Sequence, residues 1–293
     1  MPESVSEERI VDMSSQNYSQ NNPKYWRKQF SDIVESLVGK YDAYKIFFDF
    51  LAFTANLLSN GVDGTHAPER YKTAEKIMTG YTDAEQHKFF ALIDAMQNFF
   101  TETFPAGFDD LLGTFFETGS MGNKRRGQDF TPDRVGEVMS RIIIGENGKE
   151  HINLLEPTCG SGNLILKFAE QMRPERNPSS DLCVTAVDKD IKCVYMTYIQ
   201  LSYYCIPAVV IHGDTLLVEE YSRWYTPTYI ANDWSVRQQC SLTDAKIPED
   251  VAITYGRHPM LGFIREPELM KNIEKKVQNG ELDELLKNQG TDY

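Results

Sequence analysis

Apolar positions recur along this chain in two rhythms, a helical one up to about residue 120 and then helix and strand in alternation to about residue 212. Trp26–Val38 and Tyr41–Leu58 read as helices, followed by the loop Gly61-Val-Asp-Gly-Thr-His-Ala-Pro68. Ala84–Phe104 carries apolar side chains nearly all round (Phe89, Phe90, Leu92, Ile93, Met96, Phe99, Phe100), which predicts a core helix buried on more than one side. Phe108–Phe116 leads into Gly119-Ser-Met-Gly-Asn123, a hinge at which a domain boundary is expected. Beyond it the pattern predicts helix 133–145, strand 151–156, helix 162–173, strand 182–187, helix 190–204 and strand 208–212. That alternation is the signature of an α/β fold, a parallel sheet with helices on its faces. A further strand is expected over Tyr225–Ala231, weakened by Pro227, and another over Val251–Tyr255. Residues 266–288 hold two amphipathic helical stretches broken at Asn279-Gly280.

The strand at 151–156 runs into Leu154-Leu-Glu-Pro-Thr-Cys-Gly-Ser-Gly-Asn163, an acid at the strand end and then a turn with Gly160 and Gly162. Glycines in a strand-to-helix turn let backbone N–H groups approach a ligand that a Cβ would push away. The spacing Glu-x-x-x-Gly-x-Gly lacks the third glycine of the dinucleotide fingerprint and has the form of turns that bind S-adenosylmethionine. Alone, the turn does not decide the matter, since a strand–Gly-x-Gly–helix is also a form of tight packing. Two more strands close on acids, Leu182-Cys-Val-Thr-Ala-Val-Asp188 and Val209-Val-Ile-His-Gly-Asp214. In a parallel sheet the ligand lies at the carboxyl ends of the strands, where Glu156, Asp188 and Asp214 all fall. A strand-end Asp is also a common helix N-cap, so it is the conjunction of acids and turn that points to a ligand.

Upstream, Gly127-Gln-Asp-Phe-Thr-Pro132 precedes a helix with Val135, Val138, Met139, Ile142 and Ile143 on one face. These pieces, in this order, resemble the adenine-specific (N6) DNA methyltransferases, most closely the modification subunit of type I restriction systems, over roughly residues 107–216. The resemblance implies an S-adenosylmethionine-binding, Rossmann-like methyltransferase core with a doubly wound, mostly parallel sheet, truncated here and preceded by an N-terminal helical domain. The expected organisation is a disordered tail over 1–23, a helical domain over 24–122, the methyltransferase-like domain over 123–234 and an extension with an amphipathic helix over 235–293. The resemblance also implies that the Gly160–Gly162 turn holds the methionine moiety, with Thr131 near its carboxylate and Phe130 packing nearby. Asp188 would bind the ribose and Asp214 the adenine amino group, with Glu156 and Thr158 in the same cofactor set.

The family activates the target amine after its fourth strand with Asn-Pro-Pro-Tyr or Asn-Pro-Pro-Phe, whose Asn side chain and Pro carbonyl accept hydrogen bonds from it while the ring stacks on the flipped base. No Pro-Pro dipeptide occurs in this chain. Thr226-Pro-Thr-Tyr229 keeps one proline and the aromatic; Asn232-Asp-Trp234 follows the apolar stretch Tyr229-Ile-Ala as a strand-end motif should. Asn232, Asp233 and Trp234 are therefore the preferred catalytic candidates. The family continues through further strands and a helical region, whereas only about 59 residues follow Trp234.

The net charge of −13 alters the picture of partners. Lys and Arg contacts to phosphate supply most non-specific DNA affinity, so an acidic chain is expected to bind DNA only with a partner subunit. Lys124-Arg125-Arg126, the densest basic cluster, abuts the Phe-Thr-Pro segment and is either a solvated loop or a phosphate contact. A protein partner or a homo-oligomer is the other expectation. Five cysteines without Cys-x-x-Cys spacing imply reduced thiols in a cytoplasm and argue for neither a metal site nor a disulfide framework. No apolar run approaches the ~20 residues of a membrane span, and the polar, acidic N-terminus is unlike a signal peptide. The alternatives to a DNA methyltransferase subunit are a catalytically inactive methyltransferase-like scaffold, or a regulatory or anti-restriction protein, acting through protein contacts. An S-adenosylmethionine-dependent enzyme on a small molecule is a third reading.

Overall fold

The computed structural model describes residues 22–118 and 151–237. Residues 1–21 of the expected tail, the hinge at 119–123, helix 133–145, strand 251–255 and the helical stretches of 266–288 lie outside the described residues, as does the expected domain boundary at 122–123; the last two tail residues, Asn22 and Pro23, instead begin the first helix.

Five helices come first: α1 (Pro23–Glu35), α2 (Ala43–Asn60), α3 (Ala67–Met78), α4 (Asp83–Thr103) and α5 (Leu111–Thr118). Their starts are written locally. Asn22 caps α1 with Pro23 behind it, Asp42 caps α2, and Thr82 with Glu85 forms a capping box on α4. Helix α3 was not expected, because Pro68 reads as a breaker; it instead sits in the first turn of the helix, where its missing N–H costs nothing.

The sheet follows. Strand β1 (Ile152–Glu156) leads to α6 (Asn163–Met172) and the single turn α7 (Pro178–Asp181); β2 (Leu182–Asp188) leads to α8 (Ile191–Tyr203); β3 (Ala208–Asp214) turns directly into β4 (Glu219–Tyr225). Two short helices, α9 (Pro227–Ala231) and α10 (Trp234–Arg237), close the described chain. The order is β1-β2-β3-β4, with β1, β2 and β3 parallel and β4 antiparallel to β3. The expected parallel-dominated α/β sheet is present, and among the described residues it winds in one direction.

The strand expected over Tyr225–Ala231 is corrected. A connection as short as Thr215–Val218 cannot carry the chain back for a parallel pairing, so the strand falls earlier and runs antiparallel. Thr226 then caps a helix, its hydroxyl accepting from the Tyr229 N–H, and Pro227 occupies its first turn, overriding the extended preference of the apolar residues that follow.

Alternation along the strands separates two faces. Leu182, Val184, Ala186, Ala208, Val210 and Trp224 join one continuous cluster with Phe30, Phe50, Phe99, Phe168 and Tyr204 of the helices. Cys183, Val209, Ile211 and Tyr225 face the other way, against Tyr229, Ile230 and Trp234. Arg70 of α3 ties the helical region to the sheet: buried, it pairs with Asp63 at 3.0 Å, donates to the carbonyl of Arg223 on β4 and lies 4.1 Å over the ring of Trp224. No helix among the described residues is long and apolar enough to cross a membrane.

Candidate functional site

Three parallel strands end side by side, in register Glu156 with Ala186 and Asp188 with His212, so the chain turns that follow them share one end of the sheet. They enclose a crevice of about 480 Å³, in the range of small-ligand sites, lined by Glu156, Thr158, Gly160, Asp188 and Asp214 of the sequence-predicted set. Gly162 stands just behind it as the N-cap of α6. Phe130 and Thr131, and the basic cluster Lys124, Arg125 and Arg126, lie outside the described residues.

The bend between β1 and α6 is pinned on all sides. The Cys159 N–H donates to the carbonyl of Val187 at 2.9 Å, and the Gly160 N–H to Asp188 Oδ2 at 2.9 Å. From α8, Thr197 Oγ1 donates to the Gly160 carbonyl at 3.0 Å; from the end of β3, Thr215 Oγ1 donates to that of Pro157 at 2.7 Å. Gly160 and Gly162 both have left-handed backbone, φ 56° and 91°. A Cβ on Gly162 would stand 3.1 Å from Thr197 Oγ1, and a left-handed L-residue costs ~1–2 kcal/mol before that contact is counted. Gly162→Ala is therefore expected to lower unfolding stability in urea by about 1–2 kcal/mol or more. A wild-type midpoint and slope in that variant would mean the bend is not under this constraint.

The two strand-end aspartates differ in state. Asp188 does not cap α8; Asp190 does, through the Lys192 N–H at 3.0 Å. Asp188 instead uses one oxygen on Gly160 and the other on the Asp190 N–H at 2.8 Å. Burial pushes its carboxyl above the ordinary 3.8, against the pull of these N–H groups. Asp214 does act as a local cap, Oδ1 accepting from the N–H groups of Leu216 and Leu217, while Oδ2 accepts from Lys189 Nζ at 2.6 Å. Its pKa is lowered, first by Lys189. At β3 the ladder shifts register at His212–Gly213, where a Cβ on Gly213 would collide with the Glu219 backbone. The Cys159 and Cys193 thiols also line the crevice, but burial first and the neighbouring Asp188 second push both far up, so neither is a thiolate nucleophile.

Residues 108–236 match the family model described as N-6 DNA Methylase. The match takes in less than half of the chain. The matched segment includes the whole crevice and starts three residues before α5. No curated protein matches the chain. Among solved structures it is similar to one described as a class I S-adenosylmethionine-dependent methyltransferase from Listeria monocytogenes, at 14% identity and a TM-score of 0.36, covering 66% of this chain and 54% of that one. It is also similar to a type I restriction-modification system methyltransferase subunit from Streptococcus thermophilus, at 13% identity and 0.34, covering 64% and 57%. The chain spans little more than half the length of either.

The structure places the expected catalytic triplet Asn232, Asp233 and Trp234 away from the crevice. Because β4 runs antiparallel, the chain after Tyr225 lies at the amino-terminal end of the sheet, opposite the crevice. Asn232 Nδ2 donates to the carbonyl of Ser179, ahead of β2, and the buried ring of Trp234 meets that of His151, ahead of β1. Asp233 lies between them, and the other candidate, Thr226–Tyr229, is buried at the same end. Lys189, Asn163 and Cys193 line the crevice without having been singled out. Lys189 had a signal, a cation next to an acid at a strand end.

Proposed function

We propose that this chain is the cofactor-holding part of an S-adenosylmethionine-dependent methyltransferase acting on adenine N6 in DNA, working with a partner subunit. The observation that carries the reading is the convergence of a left-handed Gly-x-Gly bend with Asp188 and Asp214 on one crevice at the carboxyl ends of β1 to β3. The donor set suits such a cofactor. Backbone without Cβ and the N-terminus of α6 suit the methionine end, and Asp188 keeps lone pairs for two ribose hydroxyls beyond the N–H groups it already accepts. Asp214 can accept from the adenine amino group once Lys189 swings away, at little cost because Lys189 is 71% exposed.

The cofactor would supply an electrophilic methyl on a sulfonium. The chain's own part is to orient it, since in-line displacement needs alignment more than acid or base strength. Glu156 and Thr158 complete the wall of the crevice, the Thr158 N–H held by Glu156 Oε1 at 3.1 Å. DNA recognition is assigned to the assembly because the chain is acidic.

A scaffold that holds the cofactor without transferring its methyl is the second reading, favoured by the position of residues 226–234 away from the crevice. Two measurements separate them. Titration of the chain with S-adenosylhomocysteine should give a saturable heat; none at millimolar ligand would remove the cofactor site. Incorporation of labelled methyl into adenine-containing DNA, with and without a candidate specificity subunit, should appear only in the assembled state; its absence from every assembly that binds both ligands would leave the scaffold.

A further inference from the structure

Asp110, immediately before α5, is buried and lies outside the crevice lining, yet its carboxylate is bonded to the Gly160–Gly162 bend. Oδ1 accepts from the Gly113 N–H at 2.7 Å and from Gln200 Nε2 at 2.9 Å; Oδ2 accepts from the hydroxyl of Ser161, the residue between Gly160 and Gly162. Gln200 Nε2 also donates to the Ser161 carbonyl at 2.8 Å, and its Oε1 accepts from the Leu112 N–H at 3.3 Å. Both oxygens of Asp110 are thus acceptors, and every partner is a neutral donor.

Capping α5 needs only one acceptor oxygen, which asparagine would provide at lower desolvation cost. A buried carboxylate is required only where donors converge on both oxygens, here from α5, α8 and the bend. Burial pushes its pKa up, the mark of that cost. The packing is equally specific: a Cβ on Gly113 would lie 2.6 Å from Ser161 Cβ, so α5 rests directly on the bend. Thr197, one turn before Gln200 on α8, holds the neighbouring Gly160 carbonyl.

We propose that Asp110 is a positioning residue for the cofactor: through Ser161 and Gln200 its carboxylate sets the shape of the Gly160–Gly162 bend, so that α5 governs ligand affinity from outside the crevice. This rests on the crevice being the S-adenosylmethionine site. In the full chain, Asp110→Asn and Ser161→Ala are each expected to weaken S-adenosylhomocysteine binding about tenfold in calorimetry at a temperature where the variants are folded. The double variant should be no weaker than the worse single, because the two act through one bond. The amide resonances of Gly160 and Gly162 should shift in both variants, while those of β4 stay in place. Thr103→Val, which removes a buried hydroxyl bonded within α4, is the comparator and should change stability but not affinity. If Asp110→Asn does not fold, Ser161→Ala carries the same expectation. A folded Asp110→Asn or Ser161→Ala protein with wild-type affinity overturns the proposal and leaves the cofactor site standing; a wild-type chain that binds no S-adenosylhomocysteine overturns both.

Discussion

Asp188→Ala is expected to weaken S-adenosylhomocysteine binding by about a hundredfold or more. A hydrogen bond to a charged group contributes roughly 1.5–3 kcal/mol, two ribose hydroxyls would use this carboxylate, and each 1.4 kcal/mol is about tenfold in affinity. The same substitution frees the Gly160 N–H, so it also loosens the bend. Asp188→Asn separates the two effects: one oxygen remains for Gly160, the second acceptor is lost, and the loss should be nearer about tenfold. Because burial raises the Asp188 carboxyl, wild-type affinity should begin to fall, as pH is lowered, above the ordinary value of 3.8, and the Asn variant should lack that limb. A folded Asp188→Ala chain that titrates like the wild type would end the assignment of the ribose to this strand.

The largest loss of stability is expected at Arg70. Removing one partner of a buried ion pair costs about 3–5 kcal/mol, because the other charge is left uncompensated. Arg70→Ala leaves Asp63, buried beside Ser59, to His66 at 2.9 Å and empties the space over Trp224. Burial acts to raise the Asp63 carboxyl, but Arg70 and then His66 outweigh it and hold the group below its ordinary value. The sign for pH follows. The pair's contribution is fully present above the unfolded carboxylate value near ~3.9 and is lost as pH falls through the lower folded value. The gap between wild type and Arg70→Ala in urea should therefore narrow in acid. A neutral-pH gap under about 0.5 kcal/mol would show that Arg70 is not what joins α3 to β4.

The parts of this fold written in consecutive residues were legible. Strands β1, β2 and β3 announce themselves as apolar runs closing on acids, and Glu156, Asp188 and Asp214 do meet at one crevice. Direction was not legible for β4, since it depends on the length of the Asp214–Glu219 connection rather than on β4's own side chains. Two prolines misled in the same manner: Pro68 and Pro227 punctuate by starting helices, a role set by the caps around them. The supports of the bend were invisible because Asp110, Ser161 and Gln200 are far apart in sequence and share no motif.

The common apolar cluster has a consequence for how this molecule can be dissected. Tyr203 stacks on Phe100 at 5.2 Å, Tyr204 touches Phe100 and Phe104, and α2 lies along α8. The stretch that carries the family likeness therefore shares its interior with the leading helices. Excised without α1 to α4 it would bare a wall of aromatic rings to water, although the residues that hold its glycines would go with it. The leading helices are thus less an attached module than the other half of a single jigsaw, and changes on either side of the seam must keep step.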